Sequence, residues 1–211
     1  MIRLFSAEVC PFAQRTRAVL NHLDIEFELV EIDLNDKPDE FLEISPTGKV
    51  PLLEIDDLVL YESQLINDYL TDRYQWFDAY PDQPEDEYRQ KLVMKQWDAV
   101  ILEPFYEGLS DPEILYEAED DIRNELSVMD KVFRDTVDSG ENMISFHLAT
   151  FWARMKWLSD YSEFPGWIEE YQNLKQGLDR ALEHPAIEHT LPEKEPTVKS
   201  YEENYIGERV S

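Results

Sequence analysis

IRLFSAEVCPFAQRTRAVLNHLD, residues 2–24, passes from one backbone periodicity to another within a single loop. IRLFS (2–6) reads as a short strand, and from Pro11 onward Phe12, Val19, Leu20 and Leu23 recur among polar residues at roughly helical spacing. Between them sits Cys10, the only cysteine of the 211 residues. Proline suits the first position of a helix, where its missing N–H costs nothing. Cys10 therefore falls at the N-terminal cap, beside unpaired backbone N–H groups and the positive end of the helix dipole. Both stabilise a thiolate, the reactive form of the side chain. Arg15 and Arg17 add positive potential one to two turns further on. A lone cysteine is more often inert packing; the strand–Cys–Pro–helix setting is what favours the reactive reading.

Working outward, FELVEIDL (27–34) alternates, with Val30, Ile32 and Leu34 on one face, and predicts a strand whose apolar row meets a core. A short helix is expected near 39–44. VPLLEI (50–55) and LVLY (58–61), joined by Asp56-Asp57, form a hairpin, and SQLINDYLTDRY (63–74) is again helical. The order β-α-β-α-β-β-α predicts a thioredoxin-like α/β domain over residues 1–74, with helices covering a mixed sheet. QWFDAYPDQPED, with Pro81 and Pro84, reads as a linker over 75–86, and residues 87–190 as an all-helical domain. Its helices are expected at 87–103 (stopped by Pro104), 112–137, 144–161 (apolar nearly all round, hence buried) and 167–185. Residues 191–211 show little periodicity and are expected to be an extended or mobile tail.

Composition narrows the function classes. The formal net charge of −28 is spread along the chain, with 17 acidic against 6 basic residues in 1–78. It argues against nucleic acid and anionic membranes as partners, since both need clustered Lys and Arg. A saline habitat would account for it as well as solubility does. No apolar run approaches the ~20 residues that span a bilayer, and the N-terminus lacks a secretory pattern. One cysteine cannot form an internal disulfide. The expected location is cytoplasmic.

Two further stretches accompany Cys10. X-Pro bonds are those with an appreciable cis population. A cis-Pro51 facing the cysteine loop would leave the N–H and C=O of Val50 open to an extended peptide ligand, whereas a trans-Pro51 would simply open the strand. At Tyr61-Glu62-Ser63-Gln64, the Ser63 hydroxyl and the helix N–H groups suit a carboxylate, and Glu62 suits an ammonium group; alone, the motif is equally a plain helix cap.

Together, C-P-F-A-Q-R-T-R (10–17), N-D-K-P-D-E-F (35–41), P-x-G-x-V-P (46–51) and Y-E-S (61–63) resemble the N-terminal domain of the cytosolic glutathione transferases, most closely the omega class. E-H-P-A-I-E-H-T (183–190) extends the resemblance more weakly. It implies the glutathione transferase fold, glutathione as co-substrate without a metal, and a homodimer. It also implies roles: Cys10 as the thiol that forms a mixed disulfide with glutathione, Lys37 on the glycine carboxylate, Val50 on the cysteinyl backbone, Glu62 and Ser63 on the γ-glutamyl end. Phe12, Lys49 and Pro51 complete the expected glutathione site. Many family members open the buried sixth helix with Ser and, three residues later, Asp. Here Leu148 follows Ser145, which leaves the capping of that helix open.

A cysteine favours disulfide exchange over conjugation, and Ala13 stands where a resolving cysteine would be. The expected activity is a monothiol thioltransferase or dehydroascorbate reductase acting on a small electrophilic or disulfide substrate. The alternatives are a non-enzymatic binding protein resembling the stringent starvation protein, which typically lacks such a cysteine, and an S-conjugating transferase acting through Ser6. His22, His147, His184 and His189 have no metal-ligand spacing, and His147 is expected in the core. Trp97, Phe105 and Tyr106 are candidates for an apolar second-substrate site, though as helical aromatics they fit the core better. Glu117, Glu119, Asp120 and Asp121 read as a solvated face.

Overall fold

Four short strands carry the first unit. In the computed structural model, which describes residues 1–136 and 141–206, β1 (Ile2–Ser6) leads into α1 (Pro11–His22), followed by β2 (Glu28–Glu31), α2 (Asp39–Ile44), β3 (Leu52–Ile55), β4 (Leu58–Tyr61) and α3 (Ser63–Tyr74). The sheet order is β2-β1-β3-β4. β1 runs parallel to β2 and antiparallel to β3, and β3 is antiparallel to β4, so the sheet is mixed as expected. The two-residue side-chain period sorts the strands into two faces. Phe5, Ile32 and Leu52 gather with Phe41 of α2, and Val30, Ile44 and Val50 pack on them. Leu4 and Leu53, cross-strand partners pointing the other way, are fully buried. α1 and α3 pack together, burying Ala13, Leu20, Ile66 and Leu70. Of the apolar row in 27–34, Val30 and Ile32 reach the core, whereas Leu34 stays exposed.

The chain divides otherwise than the proline-rich stretch suggests. The first unit is Met1–Ala79 together with His184–Pro192; the second is Tyr80–Glu183 with the residues from Glu193 onward. The expected linker is split because Trp76 and Ala79 are buried and the Trp76 ring lies 4.3 Å from that of His22. Pro84 already opens a helix.

The second unit begins with α4 (Pro84–Gln96), passes through a π-helical segment, Trp97–Leu102, and continues as α5 (Glu103–Ser110). Pro104 does not end the helix. A proline lacks the N–H and crowds the carbonyl four residues back, and the wider π turn just ahead changes the bonding register where that conflict would fall. The stretch expected as one helix over 112–137 is two, α6 (Pro112–Glu117), capped by Asp111, and α7 (Glu119–Thr136); Val137 lies outside the described residues. α8 (Met143–Trp157) is buried almost throughout. Its cap is Asn142, whose side chain accepts the Ser145 N–H at 3.1 Å, so the box starts three residues earlier than the Ser145–Leu148 pair suggested.

The helix expected over 167–185 is also divided, into α9 (Phe164–Ile168) and α10 (Gln172–Leu182). Its second part starts where a partner remote in sequence satisfies it: Asp130 of α7 accepts the N–H groups of Asn173 (2.8 Å) and Leu174 (3.0 Å). α11 (Pro185–Glu188) belongs to the first unit, and α12 (Lys194–Tyr201) to the second. The expected extended tail is therefore helical from Lys194 and continues as a π turn, Glu202–Ile206. Aromatic packing holds it. Tyr201 stacks on Tyr106 at 5.8 Å, Tyr205 packs on both, and the Tyr161 hydroxyl donates to Glu202. Residues 207–211 of that tail lie outside the described residues.

α7 and α10 pack closely at Gly177, where an added Cβ would stand 2.3 Å from the Phe133 ring. Gly177→Ala opposes two effects. Alanine favours the helix by about 1 kcal/mol, but overpacking a buried aromatic costs roughly 1–3 kcal/mol. We expect a net loss of stability, read as a lower melting temperature; a rise would show that Phe133 moves aside freely.

Candidate functional site

Strand register gathers the candidate residues at one end of the first unit's sheet. Phe5 is paired with Leu52 and Leu52 with Tyr61, so extending the ladders by one or two residues sets Ser6 and Ala7 beside Pro51 and Val50, and Pro51 beside Glu62. β2 ends there too: Ser6 faces Glu31, and the Ile32 N–H donates to the Ser6 carbonyl at 2.7 Å. Lys37 follows in the connection from β2 to α2. Three strands finish and one begins at the same edge, which is why residues scattered over positions 10–63 share one neighbourhood.

Cys10 is the N-cap of α1, with extended backbone angles and Pro11 in the first turn. Its N–H donates to the Ala7 carbonyl and its own carbonyl accepts the Gln14 N–H, both at 3.0 Å. The side chain is half-buried. It thus lies at the positive end of a helix 12 residues long. Val50 and Pro51 are joined by a cis peptide. The Val50 side chain packs on the core while its backbone precedes β3, which begins at Leu52. Glu62, the N-cap of α3, has φ of 68°, an uncommon value for a residue with a side chain. Ser63 is the first residue of α3 and is buried; Glu62 is exposed.

The remaining predicted residues are more peripheral. Phe12 is exposed at 37%, its ring 5.0 Å from the buried Arg15 guanidinium. Lys37 is partly buried, and Lys49 is exposed immediately before Val50. Ser6 differs from what an S-conjugating transferase would need. It is fully buried, and its Oγ accepts a hydrogen bond from Arg17.

The other candidates lie away from this end of the sheet. His147 is buried, with Nε2 at 3.1 Å from Asp98 Oδ1. His184 caps α11, its Nδ1 accepting the Ala186 N–H, and with His22 and His189 it lines a cleft of about 350 Å³ in the first unit. Among the described residues, no group of three or more His, Cys, Asp or Glu is placed to hold a metal. Trp97 and Phe105 are fully buried in the second unit. Tyr106 has its hydroxyl 3.4 Å from that of Tyr201, and burial, reinforced by Tyr201, pushes its phenol well above its ordinary pKa. No described helix is long and apolar enough to cross a membrane.

Sequence reasoning missed how much α1 is bonded to the returning segment. Gln14 Nε2 donates to the Thr190 hydroxyl (3.3 Å) and the Ile187 carbonyl (3.5 Å), and Arg17 Nη2 to the Thr190 carbonyl (3.3 Å). The available signal was the pair of long polar side chains, Gln14 and Arg17, at i and i+3 on one face of α1.

A mixed thioredoxin-like sheet with a cysteine capping its first helix, followed by a helical unit, defines the class. The family described as "Glutathione S-transferase, N-terminal domain" matches residues 4–84. Pyrimidodiazepine synthase of Drosophila melanogaster is 39% identical over 134 residues, 56% of this chain and 54% of that protein. Glutathione S-transferase omega-1 of Sus scrofa is 38% identical over 96 residues, 45% of this chain and 40% of that protein. A probable glutathione transferase of Aplysia californica is 39% identical over 75 residues, 36% of this chain and 75% of that protein. Glutathione transferase Omega 3C from Trametes versicolor has a similar solved structure, with a TM-score of 0.80 at 20% identity over 100% of this chain and 92% of that one. The chain belongs to the glutathione transferase superfamily and has omega-class homologues. It spans about half or less of the length of the first two relatives.

Proposed function

We propose that this chain is a glutathione-dependent thioltransferase that works through Cys10 alone. The observation that carries the reading is the position of Cys10 at the N-cap of α1, at the sheet end where Val50 and the Glu62–Ser63 turn also lie. In the first step the Cys10 thiolate attacks the glutathione sulfur of a mixed disulfide. A new S–S bond forms between Cys10 and glutathione, the old one breaks, and the substrate leaves as a thiolate that takes up a proton. A second glutathione, as thiolate, attacks that sulfur; oxidised glutathione leaves and the Cys10 thiolate is restored. Two glutathiones likewise supply the two electrons and two protons that reduce dehydroascorbate.

The bound tripeptide is read as an added strand on Val50, with its γ-glutamyl end at Glu62 and Ser63, its glycine carboxylate at Lys37, and Phe12, Lys49 and Pro51 bordering it. The buried, hydrogen-bonded state of Ser6 speaks against the S-conjugating alternative. A reducing cytosol suits a thiol that must be returned to its starting state. A homodimer belongs to the same reading: the outer strand β4 exposes Leu58, Val59 and Tyr61, and α3 adds Leu65.

The test is to measure glutathione-dependent reduction of a small mixed disulfide alongside glutathione conjugation to an aryl halide. We expect reduction to exceed conjugation by at least about tenfold, because a cysteine retains glutathione as a disulfide rather than presenting its thiolate. Glutathione binding without either activity would favour the binding-protein alternative.

A further inference from the structure

We propose that Arg17 is a positioning residue for Cys10, fixing the loop before α1 and biasing the thiol toward its thiolate; this rests on the thioltransferase reading above. Arg17 lies seven residues, about two turns, beyond Cys10, so both fall on one face of α1. Long side chains on a helix lean toward its N-terminus, and Arg17 does so. Nη1 donates to Ser6 Oγ and to the Ala7 carbonyl (3.1 Å), and Nη2 to the carbonyls of Glu8 (3.1 Å) and Thr190 (3.3 Å). The Ala7 carbonyl also accepts the Cys10 N–H at 3.0 Å. One oxygen therefore joins the guanidinium to the Cys10 backbone. Three consecutive residues, Ser6 to Glu8, are tied to a single rigid fork.

The charge matters as much as the geometry. Arg17 is only 7% exposed, so solvent screens its charge little. A buried cation favours an anion nearby, and the loop it grips carries the chain's sole thiol. Helix N-terminus and guanidinium act in the same direction on Cys10. Arg15 has a different position, with its guanidinium over the Phe12 ring. The fourth acceptor, Thr190, also bonds Gln14, so the returning segment closes over the fork and holds it against the loop.

The experiment measures the rate of iodoacetamide alkylation of Cys10 against pH, without glutathione, in the wild type, Arg17→Met and Arg17→Lys, with melting curves on each. We expect the apparent thiol pKa of Arg17→Met to rise by about one unit, slowing alkylation about tenfold at pH values well below the wild-type pKa. Arg17→Lys should fall between the two, keeping the charge but losing the fork. If folded Arg17→Met melts lower yet shows the wild-type profile, the role is only structural and the proposal is overturned. Should Arg17→Met fail to fold, Arg17→Lys decides: an upward-shifted profile supports the proposal and an unmoved one overturns it. Alkylation needs no glutathione. A shifted profile in an enzyme that does not reduce disulfides would therefore uphold Arg17's role while removing the thioltransferase reading.

Discussion

Replacing Cys10 by serine is expected to abolish glutathione-dependent disulfide reduction, lowering its rate by at least about 10³-fold, the scale on which removal of a nucleophile acts. The hydroxyl is not ionised near neutral pH and forms no stable bond to sulfur, so neither step of the exchange has a substitute. The chain holds no second cysteine to take over. The fold should survive, because the change is nearly isosteric and the two backbone hydrogen bonds of residue 10 remain available. Serine is also a favoured N-cap, so the melting temperature should hold or rise slightly. Mass spectrometry after incubation with oxidised glutathione gives the complementary result: one glutathione per wild-type chain, reversed by reductant, and none on Cys10→Ser. If the variant kept a tenth of the activity, the nucleophile would have to be sought elsewhere and the proposed cycle abandoned.

The first unit was legible because its signals are local. The short strand-like runs at 2–6 and 58–61, Pro11 at a helix start, and the polar turn before Ser63 each specify their element within a few residues, and the strands and helices fall there with ends trimmed by up to three residues. The site follows from topology, since register alone sets Ala7, Val50 and Glu62 at one sheet end. What stayed hidden depends on partners far away in sequence. Asp130 starts α10 more than forty residues downstream, Tyr106 holds a tail whose own periodicity is weak, and Pro104 is carried by a π turn that no residue pattern announces. For the same reason Arg17 read only as a positive charge. The acceptors that tie it to residues 6–8 and to Thr190 are backbone carbonyls and one hydroxyl, which leave no mark in the sequence.

Trp152→Ala is expected to destabilise the second unit by about 3–5 kcal/mol. Trp152 is 1% exposed in α8, and its Nε1 donates to Asp179 Oδ1 of α10 at 2.9 Å. The same carboxylate accepts from Lys156 (3.0 Å) and Lys175 (2.6 Å). Burial works to raise the Asp179 pKa, but hydrogen bonds from Lys175, Trp152 and Lys156 outweigh it and hold the carboxyl below its ordinary value. Because the folded-state pKa is the lower one, the carboxylate's contribution to stability is present above the unfolded value and is lost as pH falls through the folded one. Trp152→Phe separates the two parts of the effect. It retains most of the ring volume but removes a donor to a charged acceptor, at a cost of about 1.5–3 kcal/mol; Trp152→Ala adds the cavity. Urea unfolding of both variants at pH 7 and again in acid would check the assignment. The Trp152→Phe deficit should shrink in acid, where Asp179 is protonated, while the further loss in Trp152→Ala should persist. A Trp152→Phe deficit independent of pH would mean that ring packing, not the bond to Asp179, couples α8 to α10.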